Sequence, residues 1–383
     1  MPKKRRFGRI RRLPSGRYQA RYRDPEGIDR PAPYTFANKT DADRWLTQVD
    51  AEIIKGTWRD PDRGRIKLDE YLPEWISQRP GLRPRTVDLY RWLYAKYIEP
   101  TLRDHLLSDI TPGIVRAWRA ELLATGVTAT MVAKAYRLLR AVLNTALDDE
   151  LIRRNPCRIK GAGIEQTTER PTATVAQVFD LAGLVPNRFR VLVLLAAFTS
   201  LRYGELAALR RRDVDARHAT VTVRATLVER QNGTVTFGPP KSTASLRTVT
   251  IPAAILRDVR EHLRDHVPAA EDALIFTGIT GAVLRRSNFQ RTSNWTAAVA
   301  EAGLSGFHFH DLRHTGNTLA SRTGASLADL MARMGHSTTR AAMIYQHTAQ
   351  QQDKEIADAL SSRISRERGR ARSGHTRRTQ REA

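Results

Sequence analysis

The chain has a single cysteine, Cys157, among 383 residues. One thiol excludes an internal disulfide and any zinc site built on cysteines, and it is typical of a protein that works in a reducing cytoplasm. The longest apolar run, residues 191–198, has eight residues, far fewer than the roughly 20 that cross a bilayer. No apolar segment follows the basic start, so no signal peptide is predicted.

Several motifs for small-molecule chemistry are also missing. The sequence has no G-x-x-x-x-G-K-[ST] motif, so no ATP site is predicted. It has no cluster of Asp and Glu of the kind that a two-metal nuclease uses. His310 and His314 have the spacing of a zinc pair, but Arg313 lies beside them and a third ligand is not evident. We therefore predict neither a metal nor a cofactor.

Negative charge is scarce by comparison with positive charge. Lys and Arg number 64 against 40 Asp and Glu, which gives a net charge of +24 and an isoelectric point of about 10.9. Such an excess favours a polyanionic partner. Double-stranded DNA is the first candidate, and an anionic membrane surface is the weaker alternative. We predict a DNA partner and no membrane.

Residues 1–60 predict a small β-rich module. The first 23 residues carry ten Lys or Arg and no acid. Two short strands flank the turn at residues 14–16, a second turn at 24–27 leads to a strand near 33–36, and Thr40 or Asp41 caps a helix. Basic residues on a β-ribbon are typical of a surface that enters a DNA groove, although they equally suit a solvated hairpin. The candidate DNA contacts are Arg9, Arg11, Arg17 and Arg21.

Residues 66–157 predict a helical domain. Apolar residues recur at the 3, 4, 7 spacing in four segments joined by short polar connections, which indicates a four-helix bundle. The helices are expected from about residue 68, at 86–97, from Thr111-Pro112, and at 128–147. The basic residues on these helices are either a solvated face or a DNA-facing side. The DNA-binding candidates among them are Arg85, Lys134 and Arg137.

Residues 170–362 predict a third domain, mainly α with one small antiparallel sheet, and residues 363–383 predict a basic, disordered tail. Thr174 caps a helix, and residues 187–210 contain a strongly apolar one. Strands are expected at 219–228, 234–237 and 247–251, with a hairpin turn at 231–233. Further helices are expected at 253–265, 287–302, 310–322, 326–334 and 338–346. The fold class is thus mainly α with small antiparallel β-sheets.

A set of chemically active residues lies in this third domain. Two arginine forks suit a phosphate, and a tyrosine suits a covalent nucleophile. Each residue alone is weak evidence, since a single tyrosine or an H-x-x-R is usually structural. The combination rests on order and spacing: R-x-x-E-L, a lysine at the tip of a Thr236–Thr248 hairpin, H-x-x-R-H, G-H, and a tyrosine nine residues on. The set comprises Arg202, Glu205, Lys241, His310, Arg313, His336 and Tyr345.

This order of residues resembles the tyrosine recombinase (phage integrase) family. The resemblance implies that Tyr345 attacks a DNA phosphodiester and forms a 3′-phosphotyrosine bond, without metal or ATP. It implies that Arg202 and Arg313 clamp the non-bridging oxygens and that Lys241 protonates the 5′-oxygen. His310 takes part in proton transfer with the nucleophile or contacts the phosphate, and His336 is a second phosphate donor. Glu205 either orients one of these groups or is an ordinary surface acid.

One residue departs from the family pattern, because Ser200 stands where Gly commonly precedes Leu-Arg. The rest of the chain is consistent with the family: the first module resembles its arm-site-binding domain, and the four helices resemble its core-binding domain. The resemblance implies an element-encoded integrase that inserts and excises a phage or mobile element in a bacterial nucleoid. It acts as a homotetramer on paired attachment sites, with an excisionase and a DNA-bending host protein as expected partners. The alternatives are a type IB topoisomerase and a non-catalytic DNA-binding protein.

Overall fold

The computed structural model describes residues 6–60, 62–165, 170–230, 232–240, 243–335, 338–339 and 361. Lys241, His336 and Tyr345, most of the helix expected at 338–346, and the tail at 363–383 lie outside the described residues. The chain forms two compact units, residues 1–167 and 168–383. Within the described ranges, no helix is long and apolar enough to cross a membrane.

The first unit begins with a three-stranded antiparallel sheet, in the order β1-β2-β3, that packs on one helix. Ala20 and Tyr22 face that helix, and Leu46 packs against them from it. The bounds are β1 Arg9–Arg12, β2 Tyr18–Arg23, β3 Asp29–Pro31 and α1 Lys39–Ile54.

Two details of this module differ from the sequence prediction. The third strand lies at Asp29–Pro31 and not near residues 33–36, because Asp24 accepts the amides of Glu26 and Ile28 and closes the turn early. Asn38 caps α1, since its side chain accepts the Asp41 amide at 2.8 Å, whereas Thr40 and Asp41 lie inside the first helical turn.

The rest of the first unit is the helical bundle, with its own apolar core. Thr111 and Thr128 cap helices as the sequence predicts. The helix expected at 86–97 ends at Leu93 and continues as a π-helical turn, Tyr94–Ile98, just before Pro100, which has no N–H to extend an α-helical ladder. The bounds are α2 Leu68–Gln78, α3 Pro84–Leu93, α4 Glu99–Leu102, α5 Pro112–Ala124 and α6 Ala129–Asp148.

The second unit holds eight α-helices and five short strands among its described residues. The helices are α7 Val175–Leu184, α8 Asn187–Phe198, α9 Tyr203–Leu206, α10 Leu256–Asp265, α11 Arg286–Thr292, α12 Trp295–Glu301, α13 Phe309–Ser321 and α14 Leu327–Met334. The strands are β4 Val214–Asp215, β5 Thr220–Val223, β6 Thr226–Glu229, β7 Val235–Gly238 and β8 Arg247–Thr250.

The strands form two sheets, and this corrects the prediction of one sheet. The strand expected at 219–228 is divided into β5 and β6, which belong to different sheets. The Thr236–Thr248 hairpin does not exist, because β7 pairs with β6 while β8 pairs with β5. The segment that carries Lys241 therefore connects two sheets. The helix expected at 287–302 is also divided, since Asn294 has a left-handed conformation with φ of 49°.

Helix α8 lies at the centre of the second unit. Its apolar run is buried on every side, and it packs against α7 and α13. The approach of α13 is very close: a Cβ atom at Gly316 would lie 1.9 Å from the carbonyl oxygen of Ala197. The apolar helix ends at Phe198, well before residue 210. This packing holds the end of α8 and the start of α13 together, and the candidate residues lie there.

Candidate active site

The site begins at the sharp turn that ends α8. Ser200 has a left-handed backbone with φ of 57°, a conformation that costs energy for a residue with a side chain and is easy for glycine. The Gly-to-Ser departure noted in the sequence therefore falls on a position whose geometry favours glycine. The turn brings Arg202 to the N-cap position of α9 and leaves the Ser200 carbonyl pointing at Arg313.

Arg202 is held by Glu205, one turn further along α9. Its Nη1 donates to Glu205 Oε1 at 2.7 Å, and its backbone N–H donates to Oε2 at 2.9 Å. Glu205 is only 2% exposed, so it is a buried structural carboxylate and not an ordinary surface acid. Burial alone would raise the pKa of Glu205, but Arg247 and Arg202 outweigh it and the pKa is lowered. Glu205 therefore stays ionised at neutral pH.

Glu205 has a second cationic partner, Arg247, at the start of β8. Arg247 Nη2 donates to Glu205 Oε2 at 3.0 Å, and both side chains are almost fully buried. Its Nε donates to the Arg333 carbonyl at 2.9 Å, and its Nη1 donates to the Ser245 carbonyl at 3.1 Å. The sequence reasoning did not select Arg247, because its role depends on contacts with distant residues.

Arg313 lies on the buried face of α13 and is 3% exposed. Its Nη1 donates to the Ser200 carbonyl, and its Nη2 donates to the Met334 carbonyl at 2.6 Å. The guanidinium group thus joins the end of α8 to the end of α14.

His310 lies one turn before Arg313 and is exposed at the surface. Partial desolvation, with the positive charges of Arg313, Arg170 and Arg286 nearby, lowers the pKa of His310 to about 4. At neutral pH the imidazole is therefore uncharged, so one ring nitrogen can donate a hydrogen bond and the other can accept one.

Asp311, next to His310, is fully buried and has two roles. Its Oδ2 accepts the His308 amide at 2.8 Å and caps α13, while its Oδ1 accepts Arg170 Nη1 at 2.8 Å. Arg170 stands at the predicted start of the third domain, 141 residues before Asp311. The sequence reasoning missed both residues. The D in H-D-L-R was a visible cap signal, whereas nothing local identifies Arg170.

Three arginines converge on the C-terminal end of α14. Successive carbonyl oxygens of this helix accept from Arg247 (at Arg333), from Arg313 (at Met334) and from Arg202 (at Gly335, 3.3 Å). Gly335 ends the helix in a left-handed conformation with φ of 62°. The two predicted phosphate clamps, Arg202 and Arg313, therefore lie on adjacent carbonyls, immediately before His336 in the sequence.

Comparison with known proteins agrees with this geometry. The family model "Phage integrase, N-terminal domain" matches residues 6–55, and "Phage integrase family" matches residues 175–352. A putative prophage phiRv2 integrase of Mycobacterium tuberculosis is 41% identical over 94% of this chain and 96% of its own length. The integrase of Mycobacterium phage D29 is 36% identical over 94% of this chain and 97% of its own.

The chain belongs to the phage integrase family. It is a site-specific tyrosine recombinase, as its resemblance predicted. The fold agrees too: the Tn1549 transposon integrase, solved with a circular intermediate DNA, has a TM-score of 0.68 at 16% identity and covers 77% of this chain and 99% of its own. A lambda integrase dimer bound to a core site has a TM-score of 0.54 at 19% identity, over 90% of this chain and 96% of its own.

The predicted active-site residues of this recombinase fall into two groups. The structure brings Arg202 and Arg313 together at the end of α14, with Glu205 bonded to Arg202 and His310 one turn before Arg313 on α13. Lys241, His336 and Tyr345 lie outside the described residues, so their assignment stays a prediction. Among the residues that are described, no group of three or more His, Cys, Asp or Glu is placed to hold a metal ion.

The candidate DNA contacts of the first module lie on the sheet face opposite α1. Arg9 is paired with Arg21 across β1 and β2, and both side chains form ion pairs with Asp29, at 2.6 and 2.8 Å. Arg11 donates to Gln19, and Arg17 donates to Thr35. Exposed pairs of this kind contribute little to stability, so a DNA phosphate can replace the partner at low cost.

The candidates on the helical bundle are held in a similar way. Lys134 and Arg137, on α6, both pair with Glu165, and the pKa of that carboxyl is lowered, chiefly by Arg137. Arg85 is exposed in the first turn of α3. Glu165 therefore occupies part of the basic surface that the sequence assigns to DNA.

Proposed function

We propose that this recombinase integrates and excises the DNA of a phage or other mobile element by cleaving and rejoining strands through a 3′-phosphotyrosine at Tyr345. The observation that carries the proposal is the convergence of Arg202 and Arg313 on the adjacent carbonyls of Met334 and Gly335. Two guanidinium forks at one point provide up to four directed N–H donors for a single phosphate. His336 follows these carbonyls in the sequence, and Tyr345 follows nine residues later.

Each residue has a distinct part in the proposed reaction. Arg202 and Arg313 stabilise the negative charge that grows on the non-bridging oxygens as phosphorus becomes five-coordinate. Neutral His310 receives the tyrosine proton or donates to the phosphate, and His336 is a second donor. Lys241 protonates the leaving 5′-oxygen. Glu205 supports the site by fixing Arg202, and the phosphotyrosine bond conserves the energy needed for religation.

We further propose that the chain binds double-stranded attachment-site DNA through three domains and a tail. The arm-type module is residues 1–60, the core-binding domain 66–157, the catalytic domain 170–362 and the basic tail 363–383. The arm-type module uses Arg9, Arg11, Arg17 and Arg21, and the core-binding domain uses Arg85, Lys134 and Arg137. The match of residues 6–55 to the N-terminal domain of phage integrases supports the first assignment.

The proposed assembly is a homotetramer on two synapsed sites, acting in a bacterial nucleoid. A solved relative with the same fold is a lambda integrase tetramer bound to a Holliday junction, with a TM-score of 0.54. An excisionase and a DNA-bending host protein are the proposed partners that set direction. Size-exclusion chromatography with light scattering, on the protein bound to recovered attachment DNA, tests the assembly. We expect the mass of four chains on two DNA sites, and a complex with one chain on each DNA would contradict the proposal.

The test of the reaction uses nicked duplexes with randomised cores, together with fragments flanking the gene. A nick just beyond the cleavage point lets the 5′-hydroxyl fragment diffuse away, so the covalent complex accumulates. We expect an SDS-resistant protein–DNA band that is absent in Tyr345→Phe and enriched in one sequence. A band without sequence enrichment would indicate a topoisomerase. The absence of a band under conditions where DNA binds would indicate a non-catalytic binding protein.

A further inference from the structure

Arg247 occupies the point where three parts of the recombinase site meet. Its Nη2 reaches Glu205, which in turn holds Arg202. Its Nη1 reaches the Ser245 carbonyl in the segment that connects β7 to β8, where Lys241 lies in the sequence. Its Nε reaches the Arg333 carbonyl in the last turn of α14.

The Arg247 guanidinium group is tightly packed against the end of α14. A Cβ atom at Gly335 would lie 2.9 Å from Arg247 Nη1, so the turn that ends α14 lies directly against the guanidinium group. Arg247 and Glu205 are 6% and 2% exposed as side chains. A buried charge pair with every donor directed is costly to remove and rigid when complete.

Glu205 transmits this rigidity to Arg202. The carboxylate accepts three bonds at 2.7, 2.9 and 3.0 Å: from the Arg202 side chain, from the Arg202 backbone and from Arg247. Without Arg247, the Oε2 atom loses the donor from β8 and keeps the Arg202 backbone N–H, so the carboxylate can rotate toward Arg202 or toward water. The position of the Arg202 fork, whose own side chain is 36% exposed, is then no longer fixed.

We propose that Arg247 is a positioning residue for strand cleavage, which acts on the scissile phosphate through Glu205 and Arg202 without touching it. This inference rests on the proposed function. A displacement of the fork by about 1 Å is enough to slow such a reaction by roughly 100-fold. DNA affinity, which is dominated by the many phosphate contacts elsewhere, is expected to change little.

The test measures single-turnover covalent-complex formation by the full chain on the nicked duplex recovered above. The variants are Arg247→Gln and Arg247→Lys, and the matched control is Arg257→Gln, an exposed arginine on α10 that pairs with Glu261. Each protein is assayed on two versions of the duplex, one with the natural scissile phosphate and one with a methylphosphonate there. The methylphosphonate lacks one non-bridging charge, so it depends less on the Arg202 clamp.

We expect Arg247→Gln to lower the maximal rate on the phosphate by about 100-fold while the half-saturating DNA concentration stays within about threefold. On the methylphosphonate, its rate is expected to come within about fivefold of wild type. Arg247→Lys has one compact donor group in place of a fork, so its maximal rate on the phosphate is expected to lie between those of wild type and Arg247→Gln. Arg257→Gln is expected to match wild type on both substrates.

Two results would overturn the inference. One is an equal loss of rate on both substrates, which is the pattern of general structural damage. The other is a loss of DNA affinity at an unchanged maximal rate. Arg247→Lys, which keeps the buried charge, provides the same comparison if Arg247→Gln does not fold. Failure of wild type itself to form the covalent complex would instead refute the proposed function.

Discussion

Glu205→Gln is predicted to destabilise the second unit strongly, although the change removes only a charge. In the wild-type protein the carboxylate compensates Arg247, which is almost fully buried, and Arg202, which still reaches solvent. A glutamine oxygen in the place of Oε2 retains two of the three bonds, from the Arg202 backbone and from Arg247, but its NH2 group then faces the Arg202 guanidinium in place of Oε1 and the negative charge is gone. Arg202 can turn to water, whereas Arg247 is left buried without its counter-charge.

The magnitude follows from this asymmetry. Removal of one partner from a buried ion pair costs about 3–5 kcal/mol. Because only Arg247 loses all its compensation, we expect the lower end, about 3 kcal/mol. In a unit of this size, each kcal/mol lowers the melting temperature by roughly 2–4 °C, so the expected decrease is about 6–12 °C.

Hydrogen exchange read by mass spectrometry measures the effect, because it reports on the second unit separately from the first. Amides of α8 and β8 are expected to exchange faster in Glu205→Gln at pH 7. The control is Glu261→Gln on the exposed face of α10, whose solvated pair with Arg257 contributes little to stability.

The pH dependence provides a second check. The folded-state pKa of Glu205 is below its ordinary value of 4.5. The stabilisation is therefore complete above about pH 4.5 and is lost as the pH falls through the lower folded-state pKa. The difference between wild type and variant must then narrow below pH 4.5. Equal exchange at pH 7, or a difference that persists in acid, would refute the reasoning.

Three further predictions concern the same unit. Gly316→Ala is expected to lower the free energy of unfolding, measured in urea, by at least about 2 kcal/mol, because the new Cβ meets the Ala197 carbonyl. Gly183→Ala has space for its Cβ and is expected to raise the free energy of unfolding by about 0.5 kcal/mol. Burial lowers the pKa of His262 to about 4. The free energy of unfolding is therefore expected to fall by about 3 kcal/mol between pH 6.5 and pH 4, as the unfolded state takes up a proton that the folded state does not. The variant His262→Gln should lack this loss. His310 is expected to titrate near pH 4 in NMR spectra of the free protein and at higher pH with DNA bound; an unchanged midpoint would contradict a phosphate beside it.

The structural features that the sequence predicted best are those that depend on neighbouring residues along the chain. Thr111, Thr128 and Thr174 cap helices where the hydroxyl and the apolar spacing indicated, because capping and helical periodicity operate over a few residues. The i, i+3 spacing of His310 and Arg313 correctly placed them one turn apart on the same helix, α13, although Arg313 is buried and His310 is exposed. The positions of Lys241, His336 and Tyr345 stay predictions.

Errors arose where the partner is distant. Alternation identified the strands around residues 236 and 248, but alternation does not say which strand pairs with which, and the inferred hairpin was wrong. The break at Ser200 is a left-handed residue that the surrounding packing imposes against local preference, whereas the break at Asn294 uses a residue type that tolerates the left-handed region. Arg247 and Arg170 were missed for the same reason: each is defined by a carboxylate far away in the sequence.

The hydrogen-bond partners of the site arginines explain how the folded protein accommodates so much positive charge at one place. Among the described residues, the carboxylates paired with Arg202, Arg247 and Arg170 are Glu205 and Asp311, while backbone carbonyls at residues 200 and 333–335 accept many of the remaining N–H groups. A carbonyl satisfies a hydrogen bond, but it carries no net charge, so the positive potential persists. Desolvation is the main cause of the lowered pKa of His310, and the positive charges of Arg313, Arg170 and Arg286 add to it. A phosphate offers the same hydrogen bonds with a full negative charge in addition, and charge-assisted bonds are roughly twice as strong as neutral ones. Exchange of a carbonyl for a phosphate oxygen is therefore favourable at this point, and it leaves Glu205 and Arg247 in place.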